Sequence, residues 1–264
     1  MNTQPRQTVL ITGASGGIGE AFARKLAASG YNLILVARSA DKLHALAQDL
    51  TAAHGISATG LPYDLTAPAA PQQLYRALQE QALTVDLLIN NAGYGTYGKF
   101  HETDLAQELQ MIQLNITALV DLTHRFLPGM IERRRGRILN VASTAAFQPG
   151  PLMAVYYASK AFVLSFSEAL ANELEGTGVT VTALCPGPTA SGFQARAAMA
   201  ESKLVQRGMM TVDAVVERGY ASLLAGETVV VPGLSNQLSA FATRFFPRKF
   251  VTRTVRNMQE RVGH

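Results

Sequence analysis

Three side chains have types and spacing suited to moving a proton: Ser143, Tyr156 and Lys160. Tyr156 and Lys160 stand four apart at the start of a helical stretch, so they share one face. A tyrosine hydroxyl titrates near ~10 in water, too high for a general base at neutral pH. Bringing it to about 7 takes roughly 4 kcal/mol of differential stabilisation of the phenolate. A lysine ammonium one turn away has the sign of charge required. Ser143 follows a predicted strand, where its hydroxyl could hydrogen-bond a substrate oxygen as charge develops on it. Alone, a Tyr-x-x-x-Lys pair reads as a surface helix, so the rest of the chain must decide.

A strand at 8–11 runs straight into Thr12-Gly13-Ala14-Ser15-Gly16-Gly17-Ile18-Gly19 and then a helix. Glycines let main chain approach a pyrophosphate, and the helix start adds N–H groups and positive dipole. This context makes a dinucleotide turn, with contacts from Gly13, Ser15, Gly17, Ile18 and Gly19; the bland alternative is a tight packing turn. No Gly-Lys-Ser/Thr follows, so the Walker pattern fails. The second strand ends in Ala37-Arg38-Ser39. A carboxylate there would bind a ribose 2′-hydroxyl, whereas an arginine accommodates a 2′-phosphate. Arg38 therefore points to NADP(H) rather than NAD. Asp64 and Leu65 end the third strand on the adenine side. Asn91, Ala92 and Gly93 end the fourth, where ligands of such sheets bind. Either of these two turns, taken singly, could be an ordinary Asx turn.

The chain resembles the short-chain dehydrogenase/reductase family, in its single-domain branch. The resemblance rests on residues 12–19 and 90–93, Asn115, Ser143, Tyr156-Tyr157-Ala158-Ser159-Lys160 and Pro186-Gly187, and it covers residues 8–232. It implies a catalytic set of Asn115, Ser143, Tyr156 and Lys160. Tyr156 would be the acid in carbonyl reduction and the base in alcohol oxidation; Tyr157 is its neighbour, since only Tyr156 has Lys at i+4. Lys160 would bind the nicotinamide ribose and lower the Tyr156 pKa. Ser143 would orient the carbonyl, and Asn115 would hold a water linking Lys160 to solvent. Pro186, Gly187 and Thr189 would contact the nicotinamide. The family often has threonine five residues after that proline; here it is Ser191, and Pro188 adds a second proline to the loop. A homodimer or homotetramer is implied, meeting through the helices of Asn115 and Tyr156.

These side chains need a scaffold that sets strand ends against helix starts. Short apolar runs at 8–11, 32–36, 57–61, 86–89, 137–141, 179–184 and 228–231 predict seven strands. Helical stretches separate them, near 20–29, after a Ser39 cap, 72–81, 104–135 with an interruption at Pro128-Gly129, 155–175 and 211–224. Strands apolar on both faces and separated by helices mean a parallel sheet covered on both sides. The fold class is α/β: a doubly wound parallel sheet, the Rossmann fold. Residues 1–233 read as one NADP-binding catalytic domain and 234–264 as a helical extension.

Composition bounds the alternatives. The chain has 264 residues with 16% charged, against roughly 25% in ordinary domains. A single cysteine, Cys185, excludes an internal disulfide framework and cysteine-based zinc spacing, and reads as a core-packing residue. Five scattered histidines give no metal spacing. No apolar run is long enough to span a bilayer. Ala21-Phe22-Ala23 mimics a signal-peptide cleavage site, but the stretch before it is glycine-rich and carries Glu20. A cytoplasmic protein is expected.

The net charge of +4 divides into +5 for residues 235–264 and −1 for the rest, so it says nothing for nucleic acid. The cluster Arg133, Arg134, Arg135 and Arg137 reads as a solvated helix end. In the extension, Leu238, Phe241, Ala242 and Phe245 form one helical stripe; after Pro247, Val251, Val255, Met258 and Val262 form a second. Lys249, Arg253 and Arg256 lie opposite the second stripe. The stripes serve either packing on the body or a partner subunit, or contact with an anionic membrane or acyl substrate. Substrate is expected under residues 188–210, against Phe193, Met199, Met209 and Met210, with Tyr94, Tyr97 and Phe100 from the loop after Gly93. Such a lining suits an apolar ketone or alcohol. The reading is an NADP(H)-dependent carbonyl reductase or alcohol dehydrogenase; its alternative is a non-catalytic NADP-binding regulator or scaffold.

Overall fold

The computed structural model describes residues 6–197, 199, 202–206 and 208–260. Seven strands form one parallel sheet: β1 (Thr8–Thr12), β2 (Asn32–Ala37), β3 (Ala58–Pro62), β4 (Leu87–Asn90), β5 (Gly136–Val141), β6 (Val179–Leu184) and β7 (Val229–Val230). Eleven helices are described: α1 (Gly17–Ala28), α2 (Ala40–His54), α3 (Ala70–Glu80), α4 (Leu105–Ile112), α5 (Leu119–Glu132), α6 (Ala154–Glu173), α7 (Phe193–Arg196), α8 (Lys203–Gln206), α9 (Val212–Ala225), α10 (Leu234–Ala242) and α11 (Arg248–Gln259). The strand order is β3-β2-β1-β4-β5-β6-β7. Winding reverses between β1 and β4, which opens a crevice at their carboxyl ends.

Both faces of the sheet are apolar, so each must be covered. On one, Phe22 and Leu26 of α1, Leu43 of α2 and Val215 of α9 close over Val9, Ile11 and Leu35. On the other, Leu74 of α3, Phe126 and Met130 of α5 and Leu170 of α6 close over Leu10, Leu88 and Ile138. Each such burial contributes about 1.5–3 kcal/mol. Between the cores runs a polar chain. Asn90 on β4 donates to Asn140 on β5 and Thr123 on α5 at 2.9 and 3.1 Å, and Asn140 donates to Ser167 on α6 at 2.9 Å. It fixes the central strands against the two helices that carry the site.

The expected break at Pro128-Gly129 does not occur: α5 continues through Pro128. An interior proline costs a helix roughly 3 kcal/mol, but Phe126 and Met130 on either side are buried and hold the turn in place. The irregularity lies earlier, in a π-helical stretch Gln113–Ala118 between α4 and α5. Its wider turn contains Asn115, and such bulges mark functional sites. β7 pairs only at two positions on β6, shorter than the apolar run 228–231 suggests. Ser39 stands at the start of α2 but makes no capping bond.

The extension forms two helices joined at Pro247. Val251 and Val255 of α11 are buried against Tyr157 and Met199. In α10 only Ala240 is buried; Leu238 and Phe241, and Phe245 just after the helix, stay exposed while Ala242 is half-buried, so most of the first stripe faces solvent. Val262 lies outside the described residues. Among the described residues no helix is long and apolar enough to cross a membrane, and no His/Cys/Asp/Glu group could hold a metal ion.

Candidate active site

A cleft of about 800 Å³ runs along the carboxyl ends of the strands. At one end lies the glycine turn. Asn91 donates to the Thr12 and Gly13 carbonyls at 2.9 and 3.2 Å, while the Thr12 hydroxyl accepts from the Asn91 and Ala92 N–H groups at 3.0 Å each. These bonds lash the ends of β1 and β4 together beneath the cleft. Gly13 has φ +67°, and a Cβ there would sit 2.8 Å from the Asn91 amide. A Cβ on Gly19 would lie 2.3 Å from the Gly13 carbonyl oxygen. Gly19 therefore packs α1 onto the turn from behind. Gly13, Ser15, Gly17 and Ile18 face the cleft itself.

Arg38 is exposed on the cleft wall, and among the described residues it has no ion-pair partner. Lys42, in the first turn of α2, also lines this wall. Sequence reasoning missed Lys42, because Arg38 lies before the helix and no periodic spacing links the two. Asp64 and Leu65 line the adjoining wall, and Asp64 accepts from the Thr66 N–H at 3.0 Å and hydroxyl at 2.8 Å. Ala92, Gly93, Pro186, Gly187 and Thr189 follow along the floor. Thr189 donates to the Gly187 carbonyl at 2.9 Å. Gly187 is closely covered: a Cβ there would meet the Asn236 amide of α10 at 2.5 Å. So α10 braces this loop, a contact that no local motif announces.

Ser143, Tyr156 and Lys160 converge at the middle of the cleft. Ser143 caps a short 3-10 turn by accepting from Ala145 N–H at 3.1 Å. Tyr156 and Lys160 are both buried in the first turns of α6. The Lys160 ammonium donates to the Val141 carbonyl of β5 at 2.7 Å and lies 5.8 Å from the Tyr156 ring centre. Asn115 stands behind. Its amide donates to the Tyr94 carbonyl at 3.0 Å and the Ser159 hydroxyl at 3.1 Å, and its oxygen accepts from Tyr94 N–H at 3.2 Å. The side chain thus ties the 93–94 loop to α6. A Cβ on Gly93 would press within 3.0 Å of Asn115 and 3.5 Å of Lys160.

Burial dominates the electrostatics. It pushes the Tyr156 hydroxyl above its ordinary value, opposed by a hydrogen bond from Ser143. It pulls Lys160 down to about 8, since no carboxylate compensates. Burial also raises the Cys185 thiol to about 12, which makes it an inert packing residue. The arginine cluster is used far from the cleft: Arg133 and Arg134 donate to the Val85 and Gly176 carbonyls, and Arg135 pairs with Asp86 at 3.0 Å.

Beyond Tyr156 the cleft is lined by Met153, Phe193, Met199, Leu204, Tyr157 and Gln259. Phe193 packs on Tyr156 with ring centres 5.1 Å apart. Of the expected substrate lining, Phe193, Met199 and Tyr94 are in place. Met209 and Phe100 face solvent, Met210 packs on the core beside α9, and Tyr97 is turned toward α11.

A family model for short chain dehydrogenases matches residues 7–202. Over 184 residues the chain is 41% identical to a very-long-chain 3-oxoacyl-CoA reductase from Pyrenophora tritici-repentis, covering 67% of this chain and 53% of that protein. The chain spans about half the length of the curated relatives it matches first. A short-chain dehydrogenase from Sphingobium yanoikuyae, solved with NADPH, superposes with a TM-score of 0.82 at 35% identity, covering 90% of this chain and 93% of that one. One from Burkholderia phymatum, solved with NAD, gives 0.81 at 25% identity, covering 91% and 94%. The chain belongs to the short-chain dehydrogenase family. Its sheet and cleft are those of a nicotinamide-cofactor fold, and the residues present fit such a group: glycines clear the turn, and donors line the rest.

A buried ammonium without a carboxylate is expensive, and Lys160→Met tests this. Folding holds its pKa near 8 against an ordinary 10.5, so the penalty is full below pH 8 and fades as pH rises to 10.5. The variant is expected to gain on the order of 1–2 kcal/mol at pH 7, after allowing for the Val141 carbonyl it leaves unpaired. Denaturant melts should show that gain shrinking towards pH 10.5; equal stability at every pH would contradict it.

Proposed function

We propose that the chain is an NADP(H)-dependent oxidoreductase that interconverts a carbonyl and a secondary alcohol on an apolar substrate. The observation that carries this reading is the convergence of Ser143, Tyr156 and Lys160 on one cleft with the glycine turn and Arg38. The glycine turn and the start of α1 would take the pyrophosphate. Arg38 and Lys42 would take the 2′-phosphate, with Asp64 and Leu65 beside the adenine. Asn91, Ala92, Gly93 and Lys160 would hold the nicotinamide ribose, and Pro186, Gly187 and Thr189 the ring. A nicotinamide held there would supply or accept the hydride at the substrate carbon. Ser143 Oγ donates to the carbonyl oxygen and fixes it beside Tyr156. Tyr156 Oη gives its proton to that oxygen in reduction and takes it back in oxidation. Lys160 stabilises the phenolate left behind, which burial alone would disfavour. Asn115 keeps the loop and α6 in register, so that the proton path from Lys160 stays formed.

A purely regulatory binder could use Lys160 on the ribose but has no use for the Tyr156 hydroxyl set beside Ser143 in the same cleft. That pair favours the catalytic reading over the scaffold one.

Two exposed apolar faces support proposals about partners. Leu105, Leu109 and Ile112 on α4 and Phe162 on α6 are exposed, and the exposed side of α4 carries no charge. Two copies can meet there without repulsion, which supports a homo-oligomer. On α10, α11 and the turn between them, Leu234, Leu238, Phe241, Phe245, Phe246 and Phe250 are all more than half exposed. Arg244, Arg248, Lys249 and Arg253 stand exposed among them. Copies facing one another here would repel, so an anionic bilayer surface fits better. Each basic residue near such a surface contributes about 1 kcal/mol.

Tyr156→Phe should lower kcat by a factor of about 10² or more while NADPH binding persists; an active variant would sink the mechanism. Arg38→Asp should move the NADPH-to-NADH preference in kcat/KM towards NADH by about tenfold to a hundredfold. An unchanged ratio would remove the 2′-phosphate role. The double variant Phe245→Glu, Phe246→Glu should stop co-sedimenting with phosphatidylglycerol vesicles and keep its mass in light scattering. Leu109→Glu should do the reverse. Vesicle binding that survives the first pair, or subunit number that survives the second, rejects the corresponding surface.

A further inference from the structure

Apart from its tyrosines, the cleft is lined by the ionisable side chains Arg38, Lys42, Asp64, Lys160 and Arg196. The cofactor reading uses the first four, three around the adenosine and Lys160 at the nicotinamide ribose. Arg196 is left over. Asp64, at the adenine end, is the only carboxylate lining the cleft among the described residues.

Arg196 ends α7, the short helix laid over the catalytic centre. Its N–H donates to the Gly192 carbonyl at 3.3 Å, and the Ala197 N–H donates to the Phe193 carbonyl at 2.9 Å, so the turn is closed. Phe193 packs on Tyr156 with ring centres 5.1 Å apart, and Ala197 is buried in the same apolar cluster as Met153 and Met199. Arg196 lies one turn beyond Phe193, about 4.5 Å along the helix axis. It is exposed, and its guanidinium has no ion-pair partner among the described residues. The nearby rim offers it none. There Glu260, next in the chain to the cleft-lining Gln259, is shared by Lys203 and Arg256 at 3.6 Å each. Two cations on one carboxylate leave that rim positive.

The wall between Tyr156 and Arg196 is made of Met153, Phe193, Met199 and Leu204. A ligand that fills it is apolar along its body and meets a free guanidinium at its end. The planar fork of arginine matches carboxylates and phosphates. The cofactor pyrophosphate is also an anion, but the chain meets that end of the cleft earlier. Ser191 lies against Gly17, with its carbonyl oxygen 2.9 Å from where a Cβ would stand. Phe193 then covers Tyr156, and Arg196 follows last.

We propose that Arg196 determines specificity by pairing with an anionic group at the far end of an apolar substrate, across the wall from the reacting carbonyl. This rests on the carbonyl-reductase reading. Pairing of this kind is made equally in the ground and transition states, so it acts on KM rather than kcat.

The probe is a ladder of methyl ketones ending in a carboxylate, each compared with its methyl ester, with NADPH as reductant. The ester keeps the length and removes only the charge. In the wild type, kcat/KM should favour the acid by about fivefold at the best chain length, chiefly through KM, and the preference should shrink as salt is added. Arg196→Met should bring the ratio close to one, Arg196→Lys should retain part of it, and Arg196→Glu should favour the ester. Arg76→Met, exposed on α3 outside the cleft, should leave the ratio as in wild type. Thermal melts show whether each variant is folded, and NADPH titrations show where the guanidinium acts. A wild type that reduces the esters at least as well as the acids at every length overturns the proposal alone. So does an Arg196→Met variant that keeps the full ratio. Weaker NADPH binding in that variant assigns Arg196 to the pyrophosphate and overturns it too. If neither series is turned over at any length, the carbonyl-reductase reading fails and this proposal with it.

Discussion

The cleft is organised around an ammonium group that has been taken out of water without a carboxylate to meet it. Lys160 is held by a single carbonyl, Val141, at the end of β5. To leave that group buried and still aimed at the cleft, the surroundings must be rigid and closely fitted. Gly93 leaves room for it, Asn115 clamps the loop on which Gly93 sits, and the Asn90–Asn140–Ser167 chain keeps β4, β5 and α6 from shifting relative to one another. Nothing in folding alone would select this arrangement. It resembles the strain that active sites hold against the rest of a structure.

The π-helical turn follows from the same demand. An α-helix continued straight from α4 to α5 presents residues every 100° or so. The wider turn at Gln113–Ala118 re-aims Asn115, so that one side chain reaches both main-chain groups of Tyr94 and the Ser159 hydroxyl. In the sequence this stretch is indistinguishable from ordinary helix. Pro128, the residue that did look like a break, is carried through by the burial of its neighbours. Tertiary packing overrode the local signal at one place and created an irregularity without a local signal at another.

This contrast runs through the whole molecule. The sheet was legible because apolar runs of strand length alternate with helical ones, and parallel pairing covered on both faces leaves few other architectures. The residues at strand ends were legible because glycine, arginine and the Tyr–Lys pair each carry a physical reason for their position. What could not be read depends on which distant segments touch. The Met209 and Phe100 side chains have the right chemistry for a substrate wall, yet their loops turn them to solvent. Gln259 has ordinary chemistry for a tail helix and acquires meaning only because Tyr157, 102 positions away in the chain, lies across from it.

The extension shows how one short segment can be asked to satisfy two environments. The inner face of α11 buries Val251 and Val255 and delivers Gln259 to the cleft. Its outer face keeps Lys249 and Arg253 in water. Arg244, Arg248, Lys249 and Arg253 thus stand exposed, in a segment whose aromatic rings pair at 5.0 and 5.4 Å. Had the stripe on α10 packed on the body, those rings would have been core and the arginines a solvated rim. With the stripe left open, α11 carries exposed charge on one face and lines the cleft with Gln259 on the other.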